Sequence, residues 1–230
     1  MEEFCLENIY WKVRSLNAKI KSMKNLKILL STAGVIIFIG LIGFFVFLNK
    51  KDNSGLNTPM KKMNNPTVVL KTNKGDIEIE LFMDKMPITA GNFLKLSKEG
   101  FYNGTKFHRV INGFMIQGGD PNSRGEDTSL YGTGGPGYVI ADEFVAGLSN
   151  ARGTIAMANS GPNSGGSQFF INLVDNTGLD FDKPPFTSKH PVFGKVITGM
   201  GVVDMIAKED IGYKDIPVNP IIIEEVLVNE

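Results

Sequence analysis

The chain has 230 residues, 42% hydrophobic and 21% charged, an ordinary globular composition with room for one domain and additional segments. A single cysteine, Cys5, excludes an intrachain disulfide and a cysteine-based zinc cluster, and the two histidines, His108 and His190, do not sit at helical spacing, so neither a metal site nor a cofactor is expected. The zero net charge is uneven, with six Lys/Arg against three Asp/Glu in residues 1–27, four against one in residues 49–65, and fourteen against twenty in residues 66–230; an acidic main body is unsuited to nucleic acid.

In residues 1–27, Leu6, Ile9, Val13, Leu16, Ile20 and Met23 recur at alternating spacings of three and four, a short heptad stripe. With Trp11 and six basic side chains it predicts an amphipathic juxtamembrane helix on a membrane surface, and the stripe also suits weak self-association. The run "ILLSTAGVIIFIGLIGFFVFL", residues 28–48, is 21 uncharged residues. As a helix it is about 30 Å long, the thickness of the hydrocarbon layer, so a single transmembrane helix is expected. A cleaved signal peptide is the rival, but its apolar run is usually shorter and a small-residue cleavage site should follow. Lys12, Arg14, Lys19, Lys21, Lys24 and Lys27 precede the span and only Lys50 and Lys51 follow closely. That excess places the N-terminus in the cytoplasm and the C-terminal domain outside it, at the cell membrane. A start at Met23 would leave two lysines on each side and remove the bias. Residues 49–65, polar and aperiodic with Gly and Pro, read as a flexible tether with a reach of about 20–25 Å.

From Thr67 the pattern becomes that of a domain covering residues 66–230. "TVVLKT" and "IEIELF" flank "NKGD", and the alternation of Ile77, Ile79 and Leu81 with Glu78 and Glu80 predicts a β-hairpin. "PITAGNFLKLSKEG" predicts a helix started by Pro87 and stopped by Gly100, with Ala90, Phe93 and Leu94 on one face. The apolar runs "GTIAMA", "QFFINL", "PVFGKV" and "NPIIIEEVLV" predict further strands, and a second helix is expected near Met200–Lys208. Many short strands with two helices predict a mainly β fold, a closed barrel covered by helices. "GTGGPG", residues 132–137, matches the letters of a dinucleotide fingerprint but lacks the strand before and the helix after it. The "NGT" sequon at Asn103 has no other support.

Taken in order, "FHRVINGFMIQGGD", "GTGGPGYVIADEF", "MANSGPNSGGSQFFI" and "HPVFGKV" resemble a cyclophilin-type peptidyl-prolyl isomerase, over about residues 66–230. The "YGTGGPGYVIADEF" stretch is similar to the bacterial branch. The resemblance implies an eight-stranded antiparallel barrel capped by two helices, with a peptide groove on its outer face. It implies that Arg109 is the catalytic arginine, that Phe114, Met115, Phe170 and Leu179 wall a proline pocket, and that Gln117, Ala158, Asn159 and Gln168 contact the peptide backbone. His190 would rim the pocket, and His108 matches the histidine beside the arginine. By pattern alone Phe114, Met115 and Phe170 would pass for core and Arg109 for a surface ion-pair partner. The implied partners are proline-containing segments of client proteins, and the implied activity is X–Pro isomerisation in exported proteins at the membrane. The alternatives are a proline-peptide-binding chaperone with little catalysis, and a scaffold working through the N-terminal stripe.

Two departures from the family stand out. Gly178 occupies the position before Leu179 where relatives sensitive to cyclosporin often carry tryptophan. The eight residues "FDKPPFTS" after Asp180 read as an insertion beside the pocket rim.

Overall fold

The computed structural model describes residues 65–230. The basic segment, the apolar run at 28–48, the heptad stripe and the tether up to residue 64 lie outside the described residues. Among the described residues no helix is long and apolar enough to cross a membrane.

Eight strands form one antiparallel sheet: β1 (Thr67–Thr72), β2 (Gly75–Leu81), β3 (Arg109–Ile111), β4 (Met115–Gly118), β5 (Thr154–Met157), β6 (Phe169–Asn172), β7 (Val192–Thr198) and β8 (Ile223–Asn229). Their lateral order is β3-β4-β6-β5-β7-β2-β1-β8. The predicted hairpin is β1–β2, closed by Thr72 Oγ1 donating to Gly75 O at 2.6 Å, with Gly75 at φ +127°. Register shifts at Glu78/Ile79 and Ile155/Ala156 curl the sheet.

The expected closed barrel is corrected here. β3 and β8 are the two edges of the sheet and do not form a ladder, so the barrel is open. One isolated bridge, Lys106 to Ile222, and the Phe107 N–H donating to Ile221 O at 2.9 Å cross the gap. Past Phe107, among the described residues, no backbone hydrogen bond continues this pairing along β3.

Helix α1 (Pro87–Lys98) starts at its proline and buries Ala90, Phe93 and Leu94 as expected. Its own sequence offers no capping side chain. The cap comes from Glu143, whose Oε2 accepts from Ile88 N at 3.1 Å and Thr89 N at 2.9 Å. A carboxylate there satisfies free amides and opposes the helix dipole. The chain leaves α1 through Gly100 at φ +67°. Helix α2 (Met200–Ile206) ends two residues before the expected Lys208.

Period-two alternation sorts the strand side chains into two apolar layers. One face of β4, β5, β6 and β7 gives Ile116, Ile155, Met157, Phe169, Ile171 and Phe193 to the main core under α1, where Phe93 meets Phe169 edge-on at 5.3 Å. The other face gives Met115, Ala156, Phe170 and Val192 to a smaller cluster joined by Phe114, Ala158 and Leu179. The small cluster is the floor of the site.

Candidate active site

The register of the sheet lays residues in a row across it. Arg109 pairs with Gln117, Gln117 with Phe170, Phe170 with Ala156, and Ala156 with Val192. Neighbouring strands are about 5 Å apart, so the row sets a guanidinium, an amide and an apolar floor side by side without help from distant loops.

Over this row lies a cavity of about 350 Å³. Arg109, Gln117, Met115 and Phe170 line it from β3, β4 and β6. Phe114 enters from the β3–β4 turn, and Ala158 and Asn159 from the end of β5. Leu179 comes from the turn at Thr177–Leu179, with Ser188 and His190 opposite. Met115 and Phe170 are 2% and 4% exposed, so the floor is rigid packing that still presents an apolar surface. Phe114 is fixed by its backbone, its carbonyl accepting from Leu173 N at 2.9 Å and Asn176 Nδ2 at 2.8 Å.

The polar groups are held as firmly. Gln117 Nε2 donates to Gln168 Oε1 at 3.0 Å, and Gln168 Nε2 donates in turn to Gly132 O at 3.0 Å and Gly134 O at 2.8 Å. Gln168 therefore does not line this cavity. It orients Gln117 and lines an adjoining cavity of about 300 Å³ with the Gly132–Pro136 loop. The "GTGGPG" stretch supplies carbonyls and close approach rather than a phosphate cradle: Asp120 Oδ2 accepts from Gly132 N at 2.5 Å, and a Cβ on Gly134 would stand 2.2 Å from Asp120 Oδ1.

His190 Nδ1 lies 3.0 Å from Met157 O and Nε2 3.0 Å from Ser188 Oγ. The carbonyl can only accept, so Nδ1 carries a proton, and in the neutral imidazole Nε2 accepts from the serine. Burial holds its pKa below the ordinary 6.5, against the pull of the Met157 carbonyl. Its ring meets Phe170 edge-on at 5.3 Å, which makes it a wall as much as a polar group.

His108 is not brought into the cavity. It is 3% exposed and stacks its ring edge near Tyr131 at 6.4 Å. Adjacent residues of an extended chain point to opposite faces, so the residue before Arg109 faces away from it. Neither ring nitrogen has a hydrogen-bond partner among the described residues, and burial lowers its pKa, offset in part by the charge of Asp120.

Two residues at the site carry no local signal in the sequence. Asp215 Oδ2 accepts from Arg109 Nε at 3.3 Å across 106 residues, and Ser188, from the insertion, lines the cavity and meets His190. Among the described residues no group of three or more His, Cys, Asp or Glu is placed to hold a metal ion. One hydroxyl–imidazole pair lines the cavity, Ser188 with His190 at 3.0 Å, and the other ring nitrogen of that imidazole is held by the Met157 carbonyl rather than by a carboxylate. What the arrangement offers is an apolar slot with a fixed, permanently charged donor at its edge.

Residues 67–228 match the family model for cyclophilin type peptidyl-prolyl cis-trans isomerase/CLD. The chain is 44% identical over 165 residues to peptidyl-prolyl cis-trans isomerase CYP18-1 of Arabidopsis thaliana, covering 71% of this chain and 96% of that one. It is 41% identical over 167 residues to peptidyl-prolyl cis-trans isomerase-like 3 of Dictyostelium discoideum, covering 71% and 95%. Among solved structures it is similar to a Cryptosporidium parvum cyclophilin type peptidyl-prolyl cis-trans isomerase crystallised in the presence of the dipeptide Ala-Pro, with a TM-score of 0.61, 34% identity, and 71% and 99% of the two chains covered.

Proposed function

The chain belongs to the cyclophilin-type peptidyl-prolyl cis-trans isomerase family, and from that membership we propose how its own residues turn an X–Pro bond and where in the cell they do so. The observation that carries the mechanism is the cross-strand row Arg109–Gln117–Phe170, with the guanidinium beside the apolar floor of the cavity.

Amide resonance resists rotation by about 18–20 kcal/mol, and uncatalysed X–Pro isomerisation takes tens of seconds or more. Nothing need be deprotonated or bonded covalently to lower that barrier. In the twisted state the proline nitrogen is pyramidal and its lone pair is free. A donor aimed at that nitrogen stabilises the twisted state and not the planar ones, which is the condition for acceleration. Arg109 is that donor. Phe114, Met115, Phe170 and Leu179 hold the proline ring and keep water from the new hydrogen bond, which strengthens it. Gln117, together with Asn159 and the backbone at Ala158, aligns the flanking peptide. A proline peptide as the occupant is supported by the Cryptosporidium parvum relative solved with Ala-Pro.

The working place is the outer face of the cell membrane, where the enzyme assists exported proteins. The 21-residue uncharged run at residues 28–48 and the Lys/Arg excess before it support this reading. Turnover of a proline peptide by the purified full-length chain, followed by exchange NMR, is the direct test. A folded chain that leaves the cis–trans exchange rate at its spontaneous value would overturn the reading.

A further inference from the structure

Past the proline cavity the surface opens into a second hollow of about 510 Å³, which shares Asn159 and Ser188 with the first. One wall is the Ser160–Pro162 turn with Phe144; the other is Phe186–Lys189, the end of the eight-residue insertion 181–188 and the residue after it.

The insertion is fixed at both ends. At its base Asp180, 2% exposed, accepts from Ser149 Oγ at 2.6 Å, Asn150 N at 2.7 Å and Lys183 Nζ at 2.8 Å. Phe181 stacks on Phe144 with centroids 5.0 Å apart and planes 20° from parallel. At the far end Asn159 Nδ2 donates to Lys189 O at 2.8 Å. Between these anchors Phe186 has φ +61°, a region bulky side chains rarely occupy, and is 55% exposed. An aromatic ring turned to water on a strained backbone contributes little to packing. Strain of this kind gathers where surface is kept for a ligand.

We propose that this hollow is a further subsite of the substrate groove, taking an aromatic or large aliphatic side chain of the same client peptide whose proline fills the first cavity. The proposal rests on the isomerase reading above. The occupant follows from continuity: a peptide in contact with Asn159 in the first cavity already touches the wall of the second. Its chemistry follows from Phe144, Phe186 and Pro162. Asp142 and Lys189 also line the hollow, so its charged groups are of opposite sign and favour neither an acidic nor a basic side chain.

The experiment uses the purified full-length chain and hexapeptides with one proline, flanked by alanine alone or by a single phenylalanine at each flanking position in turn. Exchange NMR gives kcat/KM for each. One phenylalanine position should raise kcat/KM about tenfold over the all-alanine peptide. Phe186→Ala should bring that ratio close to one, and Phe186→Leu should keep most of it. The readout is a ratio within each variant, so a general loss of folded protein cancels. Turnover of all peptides with no phenylalanine preference in the wild type, or an undiminished preference in Phe186→Ala, overturns the subsite and leaves the isomerase reading standing. No turnover of any peptide by a folded chain overturns both.

Discussion

Arg109 Nε donates to Asp215 Oδ2 at 3.3 Å, and the other two guanidinium nitrogens have no partner among the described residues. The two side chains are 42% and 45% exposed, so this ion pair adds only about 0–1 kcal/mol to stability. Its effect is on direction. Arg109→Ala should lower kcat/KM by about 10²-fold or more with the fold intact, as for loss of one transition-state donor. Asp215→Ala should lower kcat about threefold to fivefold with little change in KM, Asp215→Glu should recover part of it, and the melting temperature should stay within about 2 °C. Steady-state kinetics with circular dichroism checks both. Full turnover by Arg109→Ala would remove the mechanism.

Gly134 is required by Asp120. A methyl group there would stand 2.2 Å from Asp120 Oδ1, and the surrounding loop supplies the two carbonyls that hold Gln168. Gly134→Ala should destabilise the domain by about 1–3 kcal/mol in urea unfolding and raise KM, because Gln117 loses its orienting partner. An unchanged unfolding midpoint would show that Asp120 moves aside freely.

Both histidines, His108 and His190, have lowered pKa values in the fold, burial being the main cause. Each ordinarily titrates at 6.5, so below that pH the unfolded chain takes up protons that the folded one refuses. Stability should therefore be level above about pH 7 and fall as the pH drops from 6.5 toward the lowered folded values, where the loss is complete. Thermal melts between pH 7.5 and 5 test this. Replacing His108 by Gln should flatten part of the slope, and an equal slope in that variant would assign the loss elsewhere.

The membrane arrangement has its own test. After a high-salt wash the domain should remain with the membranes. Protease added to intact cells, or to spheroplasts where an outer membrane exists, should digest it. Protection would reverse the orientation. Release as a soluble form starting near residue 49 would mean that the apolar run is a signal peptide.

Gly178 bears on cyclosporin. A Cβ there would lie 3.8 Å from Pro185 Cδ and 4.0 Å from Pro184 O, so the insertion borders the place an indole would take. Loss of a large aromatic wall is worth several kcal/mol, so cyclosporin should bind about 10²-fold or more weaker than to a tryptophan-bearing relative. Gly178→Trp should tighten the drug without raising turnover much. Nanomolar binding by the native chain in a fluorescence titration would contradict this.

The residues on strands were legible because side-chain direction alternates. Once "FHRVINGFMIQ" is read as extended chain, Arg109, Met115 and Gln117 fall on one face and Ile116 on the other. The family resemblance put His108 beside Arg109 in the site, whereas the same alternation turns it away from the cavity that Arg109 lines. The proline-rim residues were legible through the family motifs rather than through any local pattern. What stayed hidden came from far along the chain: Glu143 capping α1 across 54 residues, and Asp215 reaching Arg109 across 106. The open edge between β3 and β8 is a matter of which strands pair, which a pattern of apolar runs does not display. The membrane helix, tether and heptad stripe expected within residues 1–65 lie, up to residue 64, outside the described residues.

The β1–β8 ladder has a consequence for synthesis. Thr67 pairs with Asn229, and Asn229 Nδ2 donates to Thr67 Oγ1 at 3.3 Å over a separation of 162 residues. At about 5–20 residues per second, β1 waits roughly 10–30 s after leaving the ribosome before its second neighbour exists. During that interval β1 has only β2 beside it, and its other edge is a bare row of amides and carbonyls open to pairing with another nascent chain. The domain is thus built with its most non-local contact last, a topology that folds slowly and that depends during synthesis on whatever shields the free edge.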